Sequence, residues 1–163
     1  MAAPEVIDQS RAFRLSMWRA ALLGLSVACL DLVSKAVAEQ HLSAPAVLTN
    51  DDLSLGLAGG GQSVLVALMA GGIIVAGVVS WRAMAARRVP WWPVALVLGG
   101  AVGNLVDRFL RGSVRDFIPA GPLVVNIADI AVFLGLVAAA IAWQRSQPLH
   151  APEHQHVDAQ EGR

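Results

Sequence analysis

Four long stretches of the chain are nearly free of charge, and most polar residues fall between them or at their ends. They run from Met17 to Val37, Val64 to Trp81, Trp91 to Leu110 and Leu123 to Trp143. A helix needs about 20 largely apolar residues to cross the hydrocarbon core of a bilayer, and each stretch is near that length. Backbone groups facing lipid must be satisfied within their own segment, so the stretches are predicted as helices rather than open strands. Trp18, Trp81, Trp91, Trp92 and Trp143 all fall at predicted span ends, where an amphipathic indole is favoured. The expected fold class is an all-α integral membrane protein with four transmembrane helices.

The arginines orient it. Arg11, Arg14 and Arg19 lie at the start of the first span, Arg82, Arg87 and Arg88 fill the short link between the second and third, and Arg145 follows the fourth. The long link 38–63 has no Lys or Arg. Both termini and the Arg-rich link are therefore predicted to be cytoplasmic, with 38–63 outside. The organisation expected is a cytoplasmic N-terminal segment (1–16), a transmembrane domain (17–145) and a disordered cytoplasmic tail (146–163). Arg108, Arg111 and Arg115 fall on the outer side against this rule, which suggests that they serve a site.

Composition agrees with a membrane. Hydrophobic residues make up 56% of the chain, charged residues 15%, and mean hydropathy is +0.59; a soluble domain carries about 25% charged residues. Twelve basic and twelve acidic residues balance, which points to no nucleic-acid partner. Cys29 alone excludes an internal disulfide, and His41, placed in a loop, and the tail residues His150, His154 and His156 have no zinc-like spacing, so no metal is expected. Ser26-Val27-Ala28-Cys29 approaches a lipidation box, but Ser26 stands where a large aliphatic is wanted. The first span is read as uncleaved, with Cys29 as a small buried packing residue. Gly71, Gly72 and Gly77 in the second span are read as helix-packing positions.

Ionisable groups near a membrane core are costly and are functional candidates by default. Asp31 and Lys35 lie one turn apart near the outer end of the first span: a self-neutralising pair, or a brace for an outer-face site. Gly100, Asn104, Asp107, Arg108 and Arg111 share one face of the third span. Gly99 and Gly103 form a GxxxG that admits another helix closely. Gly112 is placed as the helix-ending glycine, with Asp116 in the non-helical stretch that follows. Asn126 and Asp129 lie three apart at the start of the fourth span and so are placed on one helical face, where an acid also favours the helix dipole. Arg111 and Arg115 are read as headgroup contacts or as solvated charges.

The third span runs outward and the fourth inward, which delivers Asp116 and Asp129 to the same interface. Pro119, Gly121 and Pro122 favour a turn in the short connection. Two carboxylates held close in a dehydrated site share one proton. One then activates water and the other protonates the departing amine, which is a scheme for peptide hydrolysis without a metal or a covalent nucleophile. Ser34, Ser54 and Ser113 have no histidine in a span to serve as base.

Gly103-Asn104-Leu-Val-Asp107-Arg108, Gly112-Ser-Val-Arg-Asp116-Phe117 and Asn126-Ile-Ala128-Asp129 resemble, in order and spacing, the signature blocks of the lipoprotein signal peptidases (signal peptidase II). Asp31-Leu-Val-Ser34-Lys35 is similar to the block in that family's first span. The resemblance covers roughly residues 17 to 143. It implies an aspartic endopeptidase of the bacterial inner membrane with its active site at the outer face. Such enzymes cleave diacylglyceryl-modified prolipoproteins just before the lipidated cysteine. It further implies Asp116 and Asp129 as the catalytic pair, with Asn104, Asp107, Arg108 and Asn126 shaping the site and Asp31 and Lys35 supporting it. No metal or organic cofactor is implied; membrane lipids and globomycin-type inhibitors are. The family also implies a small outer-face β-rich element between the first two helices, usually carrying Asn-x-Gly-Ala-Ala-Phe. Here the nearest stretch is Asn50-Asp51-Asp52-Leu53-Ser54-Leu55-Gly56-Leu57; Asn50 is the candidate match, but the glycine and phenylalanine do not follow in register.

Three other functions use similar residues. A catalytically impaired relative would bind lipopeptide without cutting it, and a scaffold would use the polar network only as glue. A transporter or proton relay would need a polar route across the bilayer, and the second span offers no acid for one.

Overall fold

The structure, a computed structural model, describes residues 4–42, 47–50 and 61–147. The expectations for the tail from 148 onward and for residues 51–57 lie outside them. The element order is α1 (Pro4–His41), β1 (Leu48–Asn50), α2 (Gly61–Ala85), α3 (Trp91–Arg111), β2 (Val114–Asp116), β3 (Ile118–Ala120), β4 (Leu123–Val125) and α4 (Ile127–Arg145). All four helices are long and apolar enough to cross a membrane.

The second helix is a few residues longer at each end than expected, and α1 and α4 differ in more telling ways. α1 starts at Pro4 and ends at His41, so the segment before Met17 is mostly helix continuous with the span. Proline is tolerated at a helix start, and no other proline interrupts the run. His41 is thus the last helical residue rather than a loop residue, and its Nδ1 lies 3.0 Å from the Val37 carbonyl. The fourth helix begins four residues later than the apolar run, because Leu123–Val125 pairs with Ile118–Ala120 as a short hairpin. A brief apolar run rich in β-branched residues fits strand or helix, and the Gly121 turn (φ 66°) decides for the strand. β1 pairs antiparallel with β2, matching Leu48 to Asp116 and Asn50 to Val114. The strand between the first two helices therefore finds its partner between the last two.

α3 is central, packing against α1 and α4 and less extensively against α2. Glycines make this possible. A Cβ on Gly99 would collide with the Gly24 carbonyl oxygen and lie 2.8 Å from the Gly24 Cα, so α1 and α3 cross backbone to backbone. On the other side, a Cβ on Gly100 would come within 2.9 Å of Val132 on α4, and one on Gly135 within 2.8 Å of the Pro93 carbonyl. Small residues that let backbones approach are how helices associate where lipid is as apolar as the side chains.

The second helix corrects one expectation. Cβ atoms on Gly71, Gly72 and Gly77 would meet nothing within 4 Å, so none is a packing contact. Gly77 borders an apolar cleft of about 370 Å³ between α1, α2 and α3. α2 buries only Gly61, Ala83 and Met84, near its two ends. Cys29 is exposed on the outside of α1 rather than buried.

The antiparallel course gathers all five tryptophans at one end of the bundle. Met17, next to Trp18, shares a cleft with Trp81 and Met84. Trp91 packs beside Phe13 and Met84, and the Arg88 guanidinium sits 4.9 Å from the Trp143 ring. Arg11, Arg14, Arg19, Arg82, Arg87 and Arg145 are exposed at this same end.

Gly99→Val is expected to lower stability by about 1–3 kcal/mol, because the crossing with Gly24 must widen. Gly71→Ala has open space and a better helix former, and should change stability by less than about 1 kcal/mol. Thermal unfolding of both variants in detergent checks the contrast; equal losses would contradict this packing.

Candidate active site

The polar residues singled out in the sequence converge at the end of the bundle opposite the tryptophans. α1 supplies Asp31, Lys35 and Glu39 at four-residue intervals, hence on one face. Lys35 is fully buried. Its Nζ lies 2.7 Å from Asp31 Oδ2, donates to Asn104 Oδ1 at 2.8 Å, and lies 3.6 Å from Asp107 Oδ2. Asp31, also fully buried, uses its other oxygen to accept the Ala128 N–H at 2.8 Å. Ala128 belongs to the first turn of α4, whose N–H groups have no partner within the helix. The pair is therefore more than a neutralised helix end: it joins α1 to both α3 and α4. Gly103 leaves the room, since a Cβ there would lie 2.8 Å from Asp31 Oδ2.

Asp129 occupies the first turn of α4 and is partly exposed. Its Oδ1 accepts from Asn104 Nδ2 at 2.8 Å, and its Oδ2 accepts the Asn126 backbone N–H at 3.2 Å. Asn126 Oδ1 accepts the Asp129 N–H at 2.9 Å in return. The two residues form a reciprocal cap, with Asn126 extended at the N-cap and Asp129 three residues on. They are thus cap and first turn rather than neighbours on one helical face.

Asp116 is delivered from the other side. Gly112 ends α3 in the left-handed conformation (φ 83°), with its N–H bonded to the Arg108 carbonyl. The chain then turns into β2, at whose end Asp116 is buried. Its Oδ1 accepts from Asn126 Nδ2 at 2.6 Å. One fully buried asparagine therefore holds both acids, Asp116 through its amide nitrogen and Asp129 through its amide oxygen and its backbone N–H.

Asp107 and Arg108 are buried on α3. Asp107 accepts from Arg115 Nη2 at 2.6 Å, from its Nε at 3.2 and 3.3 Å, and from its backbone N–H at 3.1 Å. Arg115 Nη1 also donates to Glu39 at 2.8 Å, and the exposed Arg111 pairs with the other Glu39 oxygen at 3.0 Å. Burial works against the charge on Arg115, but the Asp107 and Glu39 carboxylates outweigh it and hold its pKa above the ordinary arginine value. Arg115 is thus neither a solvated charge nor a headgroup contact, and Arg111 spends its charge on Glu39. Gln62 from the start of α2 donates to the Arg108 carbonyl at 3.2 Å. Asn50 forms the end of β1, opposite Val114.

The structure thus brings together Asp31, Lys35, Asn104, Asp107, Asn126, Asp116 and Asp129. Glu39 and Gln62 were missed in the sequence. Glu39 continues the alternating Asp31, Lys35 series at the same interval, which is the signal that could have found it. Gln62 has no such signal.

Comparison with known proteins bears on the family and the fold. The sequence profile described as Signal peptidase (SPase) II matches residues 23–144. The lipoprotein signal peptidase of Rhodococcus jostii is 38% identical over 128 residues, 66% of this chain and 63% of that protein. That of Mycobacterium tuberculosis is 38% identical over 133 residues, 68% and 63% of the two chains. That of Nitrobacter hamburgensis is 34% identical over 87 residues, 48% and 52%. The chain thus spans between about half and two thirds of these relatives' length. A bacterial membrane enzyme structure superposes with a TM-score of 0.65 at 21% identity, covering 79% of this chain and 94% of that one, which shows a shared fold. With three quarters of its length inside the profile and four helices long and apolar enough to cross a membrane, this bacterial-type multi-pass membrane protein belongs to the signal peptidase II family.

Proposed function

We propose that the chain is a membrane aspartic endopeptidase that removes signal peptides from diacylglyceryl-modified prolipoproteins, cutting just before the lipidated cysteine. Asp116 and Asp129 are its acid–base pair. The observation that carries this reading is Asn126, whose side-chain Nδ2 donates to the Asp116 carboxyl and whose backbone N–H donates to the Asp129 carboxyl. Two acids so closely tethered favour sharing one proton.

In this scheme the ionised member takes a proton from water as the oxygen attacks the scissile carbonyl. The protonated member then supplies a proton to the amine as the C–N bond breaks, and the pair returns to one shared proton. Asn104 and Asn126 keep the carboxyls aimed, and the nearby Arg108 shapes the substrate pocket. The chemistry calls on no metal or organic cofactor. A globomycin-type cyclic peptide would compete for the same place.

The arginine-rich, tryptophan-rich end supports placing both termini in the cytoplasm. The acids then lie at the outer face of the inner membrane, where a prolipoprotein presents its lipidated cysteine. The β1–β2 pair lies beside them and is suited to flank an extended substrate.

Asp116→Asn and Asp129→Asn should each abolish cleavage of a defined diacylglyceryl lipopeptide in detergent while the thermal unfolding midpoint holds. Cleavage by either variant removes that residue from the pair. An unmodified protein that binds globomycin yet never cuts would instead favour a non-catalytic relative. Orientation is checked in a Cys29→Ala background with single cysteines at Leu42 and Gln147. A membrane-impermeant maleimide should label position 42 in intact spheroplasts and position 147 only after permeabilisation; the reverse pattern would invert the topology.

A further inference from the structure

We infer that Arg115 is a positioning residue for Asp116 and that Glu39 completes the clamp through which it acts; this rests on the acid-pair reading above. Asp116 stands at the end of a strand of three residues whose ladder partner, β1, is equally short. A pair of such strands has little stability of its own. Something else must hold Asp116 against Asn126.

The preceding residue supplies such a hold. The Asp107 carboxylate, itself buried, accepts both the backbone N–H of Arg115 and the Nε and Nη2 of its side chain. One group therefore fixes residue 115 at two points, so the residue can neither slide along the strand nor rotate about it without breaking bonds. The peptide plane between 115 and 116 is stiff, so this fixation passes directly to the start of Asp116. Asn126 fixes the far end of the side chain at 2.6 Å. Nη1 reaches the other way, to Glu39 on α1 at 2.8 Å. β2 is thereby tied to two helices, each of which also carries part of the Lys35 network.

The chemistry suits arginine specifically. Its planar fork engages one carboxylate side-on while leaving a third nitrogen for another acid, which a lysine ammonium cannot reproduce. The inner arm is dry. The outer arm is not: Glu39 is 47% exposed, so salt reaches the Glu39–Arg115 contact but not the Asp107–Arg115 contact.

Steady-state cleavage of the defined lipopeptide by the purified full chain tests this. Arg115→Gln should lower kcat by about 10- to 100-fold, in line with a small misplacement of a reacting group, with KM within about twofold. Arg115→Lys should recover part of that loss. An unchanged kcat in Arg115→Gln, a rise in KM alone, or no advantage of lysine over glutamine would overturn the inference. Should neither Arg115 variant fold, Glu39→Gln carries the test, since it leaves the inner arm intact. Wild-type kcat should fall as salt is raised and the Glu39→Gln variant should lack that dependence; identical salt profiles would count against the clamp. Persistent activity in Asp116→Asn would indict the acid pair itself, whereas an inactive Asp116→Asn beside a fully active Arg115→Gln would reject only the positioning role.

Discussion

A lysine ammonium with no access to water has to be surrounded by acceptors, and Lys35 is surrounded by three. Asp31, Asn104 and Asp107 converge on it from α1 and α3. Removing such a charge from solvent costs several kcal/mol before any contact is made, and the loss is offset only when geometry and further hydrogen bonds are good. Once the ion is in place, its partners lose their freedom too. The mouth of the bundle is organised by this constraint more than by apolar packing, which is concentrated at the other end.

The consequences reach both acids by separate routes. Asn104 has one oxygen and one NH2 group, and the ammonium can face only the oxygen. Its NH2 is then obliged to point at Asp129, where it is found. Along the second route, Asp107 answers Lys35 on one side and Arg115 on the other, and Arg115 leads into Asp116. Asn126 closes the circuit between the two acids. The frame is interlocked because Lys35, Asn104, Asp107, Asn126 and Asp129 each bind at least two partners, and the glycines at 24, 99, 100 and 103 bring the backbones near enough for these short side chains to meet.

Much of this was readable from residue order, for identifiable reasons. A span declares itself because lipid demands a long apolar run, and Gly112 declared a helix end because few residues accept its backbone angle. The GxxxG at Gly99 and Gly103 pointed to a close crossing, though not to Gly24 as its partner. Where the reading failed, the deciding contact was distant in sequence or shared by two structures. Leu123–Val125 is apolar enough for a span, and only the hairpin with Ile118–Ala120 makes it a strand. Gly71, Gly72 and Gly77 carry no mark of which way they face. Arg115 looks like an interfacial charge until Asp107, eight residues back, and Glu39, 76 residues back, are seen to meet it. Asn126 and Asp129 were noticed as neighbours, yet their three-residue spacing also spells a capping box, which was the truer meaning.

All five indoles sit at one end of the molecule, and the acids sit at the other. Indole rings hold a fixed level at the boundary between headgroups and acyl chains. The protein is thus moored by indoles in one leaflet, whereas in the opposite one the described residues offer ion pairs and no indole. When bilayer thickness changes, the moored end keeps its level and the entire mismatch accumulates around the acids. The depth at which Asp116 and Asp129 meet the lipid surface is accordingly a property of the host membrane as well as of the chain.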